Sequence, residues 1–76
     1  LITLPENIGN LSNLQYFNLR NNQLGFLPQS IGNLTNLTSL NLSNNKLETL
    51  PKSIGNLLNL KKICVYQNKK LNELPE

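Results

Sequence analysis

Apolar residues in this 76-residue chain follow neither a single helical nor a single strand period, because the pattern changes partway through every 23 residues. Three times, two apolar residues flank one other residue: Phe17 and Leu19, Leu40 and Leu42, and Ile63 and Val65. Alternation of this kind is typical of a short strand with one buried face. The pattern therefore predicts three short strands, one in each 23-residue unit.

The other half of each unit carries the signals of a short helical turn. In residues 28–34, with the sequence PQSIGNL, proline comes first and glycine follows four residues later. Proline suits the first turn of a helix, and glycine discourages its continuation. We expect a strand, a loop, a helical or irregular turn and a return loop to close one coil.

The units recur in register along the chain. Leu-Pro pairs begin at residues 4, 27, 50 and 74, so the successive spacings are 23, 23 and 24 residues. Self-similarity at such a period indicates a stacked repeat architecture. We expect one repeat segment, 1–76, that is an excerpt of a longer array. Its predicted parts are a partial repeat 1–3, repeats 4–26, 27–49 and 50–73, and the start of another repeat at 74–76.

Stacked coils bring equivalent apolar residues into columns, which we expect to form the core. The seven predicted columns are Leu4/Leu27/Leu50/Leu74, Ile8/Ile31/Ile54, Leu11/Leu34/Leu57, Leu14/Leu37/Leu60, Phe17/Leu40/Ile63, Leu19/Leu42/Val65 and Leu1/Leu24/Leu47/Leu71.

An asparagine column follows the strands at Asn22, Asn45 and Asn68. The chain turns inward there, and a buried carboxamide can both donate to and accept from backbone groups that lack strand partners. We interpret this column as an internal asparagine ladder that holds the coils in register. The alternative, an asparagine that marks a surface turn, explains Asn21 and Asn44 better.

The pattern that combines these features reads Leu14-x-x-Phe17-x-Leu19-x-x-Asn22-x-Leu24 in the first full unit and recurs in the next two. It resembles the leucine-rich repeat family over essentially all 76 residues. The remaining half, Leu-Pro-x-x-Ile-Gly-Asn-Leu-x-Asn-Leu, is similar to the 23-residue repeats common in bacterial members of that family.

The resemblance implies an α/β fold, a leucine-rich repeat solenoid with a parallel β-sheet on the concave face and short 3₁₀ or irregular helical turns on the convex face. Members of the family mostly bind proteins, and no catalytic residues accompany the pattern. Two features depart from it. The third unit has an extra residue between Asn68 and Leu71, so we expect a small bulge there. This stretch also contains no capping repeat, so we expect either that the caps lie outside it or that something else covers the ends of the core columns.

Residues beside the inward-facing strand positions should point out onto the concave sheet. These candidate partner-binding residues are Tyr16, Asn18, Arg20, Ser39, Asn41, Ser43, Lys62, Cys64 and Tyr66. They are the least repetitive positions in the chain, which favours binding, although drift on an exposed surface also produces variety. Tyr16, Arg20 and Tyr66 are the best anchor candidates because Tyr and Arg carry much of the energy at interfaces.

The composition disfavours catalysis, since the chain holds 18 Leu and 15 Asn but no His and no Asp. Nucleophile–histidine systems, paired-aspartate sites and imidazole metal sites cannot be built from these residues. We therefore expect no catalytic, cofactor-binding or metal-binding residues. Cys64, the single cysteine, is expected to be a free and inert thiol.

A net charge of +3 is too small to indicate nucleic-acid binding. Four lysines crowd the later part of the third unit, at Lys61, Lys62, Lys69 and Lys70, and a solubilising end explains them better than a footprint for an acidic partner. The chain also lacks an apolar run of roughly 18 residues, so no membrane span is expected in this segment.

Two functions fit these residues best. The first is a non-catalytic protein–protein interaction module whose concave face binds a partner of unknown identity. The second is a structural unit that self-associates head to tail through its uncapped ends, because residues 1–6 and 71–76 share one register and a heterologous contact need not close. A third possibility is an accessory recognition domain attached to an enzyme.

Overall fold

A computed structural model describes residues 2–68 and 70–71 as three stacked coils, here named coil 1 (4–26), coil 2 (27–49) and coil 3 (50–68 and 70–71). Each coil contains a 3₁₀ turn that is followed by one strand. The 3₁₀ turns are Glu6–Asn10, Gln29–Asn33 and Lys52–Asn56, and the strands are β1 (Tyr16–Asn18), β2 (Ser39–Asn41) and β3 (Lys62–Cys64).

The three strands form one parallel sheet in the order β1-β2-β3. Residues 23 apart lie opposite each other, so Tyr16 pairs with Ser39 and Ser39 with Lys62. Backbone bonding continues past the strands: the Leu19 N–H donates to the Asn41 carbonyl at 2.8 Å, and the Leu42 N–H donates to the Cys64 carbonyl at 2.7 Å. Residues that lie one 23-residue period apart are therefore register partners in the sheet.

Each 3₁₀ turn begins directly after the proline of a Leu-Pro pair. In coil 2, Pro28 holds extended backbone angles, and the Ile31 N–H donates to its carbonyl at 3.1 Å. The Leu34 N–H then donates to the Ile31 carbonyl at 3.2 Å, which closes the turn. Proline fixes the backbone φ angle where the turn begins. Hydrogen bonds between residues three apart are typical of short 3₁₀ segments. The predicted helical or irregular turns are thus 3₁₀ turns.

The core lies between the sheet and the 3₁₀ turns, and most of its fully buried side chains belong to coil 2. Fully buried leucines and isoleucines there are Ile31, Leu34, Leu37, Leu40, Leu42 and Leu47. In the outer coils, Leu11 is 50% exposed and Ile63 is 39% exposed, so the expectation that both are core residues is wrong. Neither has a further described coil on its outer side. The predicted column members Leu1 and Leu74 lie outside the described residues.

Two glycines in the 3₁₀ turns allow close packing between coils. A Cβ atom at Gly9 would lie 2.8 Å from the Ser30 carbonyl oxygen, and one at Gly32 would lie 2.6 Å from the Ser53 Cβ. Such distances are far inside van der Waals contact, so a side chain cannot be added without moving the neighbouring coil. A Cβ atom at the equivalent Gly55 in coil 3 would meet no described residue within 4 Å.

The extra residue of the third unit is accommodated between two buried positions. Asn68 is 1% exposed and Leu71 is 5% exposed, and the Leu71 N–H donates to the Asn68 carbonyl at 3.0 Å. The small bulge expected after β3 includes Lys69, which lies outside the described residues. The asparagine and leucine columns thus continue on both sides of the insertion.

Candidate partner-binding face

The nine candidate residues form a grid of three rows on the sheet. Strand register defines the first two rows, and the backbone bonds beyond the strands define the third. In order along the strands, the rows are Tyr16–Ser39–Lys62, Asn18–Asn41–Cys64 and Arg20–Ser43–Tyr66. One residue of each row comes from each coil, so the fold gathers nine dispersed positions onto one surface, named here the concave grid.

Exposure differs sharply within the concave grid. Tyr16 is 72% exposed and Tyr66 is 73% exposed, at diagonally opposite corners. Ser43 is only 7% exposed, so the expectation that its side chain lies open on the surface is wrong. It is a small side chain in coil 2 with a longer side chain on each side, Arg20 in coil 1 and Tyr66 in coil 3.

Two asparagines of the middle row also have a structural role. The Asn18 Oδ1 accepts a hydrogen bond from the Arg20 N–H, and the Asn41 Oδ1 accepts one from the Ser43 N–H, both at 3.1 Å. These bonds fix the backbone where each strand ends, as Asx turns do. Cys64 has no carboxamide for this bond in coil 3. Sequence reasoning missed this role, although an asparagine two residues before the turn was a usable signal.

The buried asparagines behind the concave grid connect successive coils. The Asn45 Nδ2 lies 2.9 Å from the Leu19 carbonyl of coil 1 and 2.9 Å from the Leu42 carbonyl of its own coil. Its Oδ1 accepts the Leu24 N–H at 3.1 Å. Asn68 repeats these contacts one coil later, with Nδ2 3.0 Å from the Leu42 carbonyl. The Asn22 Nδ2 bonds the Leu19 carbonyl within coil 1 at 2.9 Å.

A second set of asparagines joins the coils where the chain approaches the strands. The Asn36 Nδ2 donates to the Ser12 carbonyl, and the Asn59 Nδ2 donates to the Thr35 carbonyl, both at 2.8 Å. Sequence reasoning noted the repeated Asn-Leu pair at these positions but assigned it no bonding role. The sheet is therefore held between two rows of amide–backbone bonds, which makes it a rigid support for surface side chains.

The turn after each strand contains a left-handed residue. The backbone φ angles are 63° at Asn21, 59° at Asn44 and 62° at Gln67. Asparagine tolerates this region better than most residues, which fits the surface-turn interpretation of Asn21 and Asn44. The Asn44 Nδ2 also donates to the Asn21 Oδ1 at 2.8 Å. Coil 3 carries the less suitable glutamine at this position.

The charge of the concave grid is entirely positive. Arg20 and Lys62 lie in it, whereas the two described carboxylates are elsewhere, Glu6 in a 3₁₀ turn and Glu48 in the loop after the asparagine ladder. Cys64 is a free, half-buried cysteine. Within residues 2–68 and 70–71, no group of three or more His, Cys, Asp or Glu side chains could hold a metal ion.

Within the same described residues, no helix is long and apolar enough to cross a membrane. The lysine-rich end is exposed at Lys61, Lys62 and Lys70, while Lys69 lies outside the described residues.

Comparison with known proteins agrees with this architecture. A family model described as a leucine-rich repeat region matches residues 3–76. A solved leucine-rich repeat protein of Leptospira interrogans is 50% identical and superposes with a TM-score of 0.86, covering 87% of this chain and 17% of that protein's chain. The present chain thus spans about a sixth of that protein's length, and no functionally curated protein matches it. This chain belongs to the leucine-rich repeat family and is similar to its bacterial members.

Proposed function

We propose that this chain is a non-catalytic protein-interaction module that binds its partner through the concave grid. Leucine-rich repeat proteins generally act as protein-binding modules without catalytic activity. The observation that carries the proposal is the contrast between repeated and unrepeated positions. Leu, Asn and Gly recur where coils contact each other, whereas the concave grid places Tyr, Ser and Lys in one row and Arg, Ser and Tyr in another.

The two tyrosines are the anchors of this proposed interface. Both are more than 70% exposed although the backbone beneath them is held by the sheet and by asparagine bonds. Tyrosine supplies a large contact area with few rotatable bonds, so a rigidly mounted tyrosine loses little entropy on binding. Stability of the fold does not require either ring, since neither is buried.

The test compares aromatic residues on and off the concave grid. Tyr16→Ala and Tyr66→Ala should each weaken a partner captured from an extract of the source cells by about tenfold or more, as truncated interface anchors do. Phe26→Ala is the matched control, because Phe26 is 59% exposed and lies outside the grid. Calorimetric titration of each variant with the purified partner gives the affinities. Loss of binding in Phe26→Ala alone would place the interface elsewhere.

We propose head-to-tail stacking of two copies as a second candidate function. The outer side of coil 3 has the form of a surface that receives another coil. Gly55 is open where Gly9 and Gly32 each contact a neighbouring coil, and the Ile63 side chain is 39% exposed where Leu40 is fully buried. An uncovered apolar column and an open glycine both favour an occupant of coil-like shape.

Coil 1 of a second copy matches this surface. Asn13 is the counterpart of Asn36 and Asn59, which donate to the residue-12 and residue-35 carbonyls of the preceding coil. No hydrogen bond joins the Asn13 side chain to another described residue. In a stacked pair, its Nδ2 would donate to the Leu58 carbonyl of the other copy, and the outer edges of β1 and β3 would pair.

A glycine substitution separates stacking from folding. Gly55→Val adds atoms to a position with nothing within 4 Å, so the single copy should fold normally while stacking is blocked. Gly25→Val is the control, since Gly25 is equally open. Sedimentation velocity at micromolar concentration should show oligomers for the wild type and Gly25→Val but monomers for Gly55→Val. A monomeric wild type at every concentration would overturn the second candidate.

A further inference from the structure

The third row of the concave grid encloses a small depression at the carboxyl ends of the strands. It has a volume of about 500 Å³ and is lined by Arg20, Asn41, Ser43 and Tyr66, among others. Ser43 is 7% exposed, whereas Tyr66 is 73% exposed, so a short side chain lies between two long ones. We call this depression the Arg20–Tyr66 notch.

The width of the notch follows from the strand spacing. Arg20 and Tyr66 come from coils 1 and 3, which are two strand spacings apart, so their backbones are separated by about 10 Å. That distance admits one extended peptide segment or one inserted side chain between the two long residues. Lys62 lies in the first row, about 13 Å away along the strand direction. The notch therefore contains the Arg20 charge without the Lys62 charge.

Hydrogen-bond acceptors of this row are already used by the protein itself. The Ser43 carbonyl accepts the Asn21 N–H at 3.0 Å, and the Tyr66 carbonyl accepts the Asn44 N–H at 2.8 Å. The Arg20 carbonyl accepts from the Asn22 Nδ2 at 3.3 Å. The backbone carbonyl oxygens of this row are thus already bonded within the protein.

Donors of the notch, in contrast, are available. The Asn41 Oδ1 accepts the Ser43 N–H, which leaves the Asn41 Nδ2 as a donor for a ligand. The Arg20 guanidinium and the Ser43 hydroxyl have no hydrogen-bond or ion-pair partner among the described residues. Among the residues that the structure describes, no carboxylate lines the notch. A surface with one cation and several available donors is complementary to an anion that accepts hydrogen bonds.

We propose that the Arg20–Tyr66 notch binds the side-chain carboxylate of an Asp or Glu in an acidic peptide segment of a protein partner. The Arg20 guanidinium holds the carboxylate, with the Ser43 hydroxyl and the Asn41 amide as further donors. The Tyr66 ring packs against the apolar part of the same segment. This inference rests on the proposed function of the concave grid and assigns that grid a chemical class of ligand.

A carboxylate fits the notch better than a phosphate or sulfate group. One guanidinium matches the single charge of one carboxylate and the planar arrangement of its two oxygens. A phosphate carries nearly twice that charge, and sites that bind it combine several cations or a run of free backbone N–H groups. The notch has a single cation, and its backbone N–H groups at Arg20, Ser43 and Asn44 are bonded within the protein.

The test uses a fluorescein-labelled decapeptide of alternating Glu and Leu, with the Gln-for-Glu peptide as its neutral counterpart. Fluorescence anisotropy should show binding of the acidic peptide and weaker binding of the neutral one. Arg20→Gln should reduce affinity for the acidic peptide by about tenfold, the scale of a lost charge-assisted bond. Lys62→Gln removes the same charge from the same face and should change affinity by less than about threefold.

Four outcomes decide the proposal. An Arg20→Gln effect much larger than the Lys62→Gln effect, with amide NMR shifts confined to the third row, supports the notch. Equal effects of Arg20→Gln and Lys62→Gln would show diffuse charge attraction and would overturn the proposal. Stronger competition by tripolyphosphate than by unlabelled peptide would also overturn it. Unchanged peptide affinity in Arg20→Gln also overturns it. In that last case, loss of the natural partner in Tyr16→Ala would leave the concave-grid function standing, whereas retention would remove both.

Discussion

Coil 2 and the two outer coils have nearly the same sequence pattern but different physical environments. Leu34 is fully buried, whereas its counterpart in coil 1, Leu11, is 50% exposed. A Cβ added at Gly32 would lie 2.6 Å from the Ser53 Cβ of the neighbouring coil, whereas one added at its counterpart in coil 3, Gly55, would meet no described residue within 4 Å. A residue's contribution to stability in this protein thus depends on how many coils flank it, as expected for a stack in which each repeat contacts only its neighbours.

The largest expected difference is between two leucines of one column. Leu34→Ala should lower the free energy of unfolding by about 3 kcal/mol, because it creates a cavity in a fully buried site. Leu11→Ala should cost less than about 1.5 kcal/mol, because half of that side chain is already in water. Urea denaturation followed by circular dichroism gives both values. Equal costs would show that coil 1 is covered by another part of the molecule.

The next difference is between a buried and an exposed asparagine. Asn45→Ala removes bonds to the Leu24 N–H and the Leu19 carbonyl and should cost about 2 kcal/mol, since buried groups are left without partners. Asn36→Ala removes one exposed bond to the Ser12 carbonyl and should cost about 0.5 kcal/mol. Denaturation of both variants in parallel measures the pair. A larger cost for Asn36→Ala would contradict the expectation that the buried Asn45 bonds stabilise the stack more than the exposed Asn36 bond does.

Two glycine substitutions should change stability in opposite directions. Gly32→Ala places a Cβ 2.7 Å from the Ser53 carbonyl oxygen and should destabilise the protein by about 1–2 kcal/mol. Gly55→Ala meets no atoms and should stabilise it by about 0.5 kcal/mol, because alanine restricts the unfolded chain. Melting temperatures in dilute solution distinguish the two signs. Destabilisation by Gly55→Ala would indicate that another coil already occupies that surface.

The smallest expected effect concerns the left-handed turn. Gln67 has a φ of 62° where coil 2 has Asn44, and asparagine adopts this conformation more readily. Gln67→Asn should therefore raise stability by about 0.5 kcal/mol. The reverse exchange, Asn44→Gln, should lower it by a similar amount and also remove the bond to the Asn21 Oδ1. Thermal unfolding of both variants gives the two stability changes. Opposite changes of similar size would show that the residue at the left-handed position sets the effect, whereas unequal changes would show that the coil in which it lies also matters.

Much of the fold could be predicted because the same residues recur at one spacing. The strand positions around Phe17, Leu40 and Ile63 followed from apolar alternation, and they are paired in the structure with the 23-residue register. The family resemblance supplied the parallel sheet and the 3₁₀ turns. Less accessible from sequence were the exposure of Leu11 and Ile63 and the burial of Ser43, since these depend on neighbours in adjacent coils.

The positions of the candidate site could be predicted from the sequence, but the hydrogen bonds that its polar groups already make could not. Alternation along each strand indicated which side chains share a face, so all nine grid residues were named without coordinates. It did not indicate that the Asn41 oxygen is bonded to the Ser43 N–H, or that the row's backbone carbonyls are already bonded. These bonds link residues of different coils or depend on turn geometry, and they determine which donors of the notch are left for a ligand.

The order of residues sets the period, the strand register and the columns in which leucine, asparagine and glycine recur, because these follow from spacing along one chain. Stacking in three dimensions settles which member of each column is buried and whether a glycine is required. It also settles which polar groups are left to meet a partner. The physical reason is that burial and hydrogen bonding between coils belong to pairs of segments 23 residues apart, and identical segments differ when their neighbours differ.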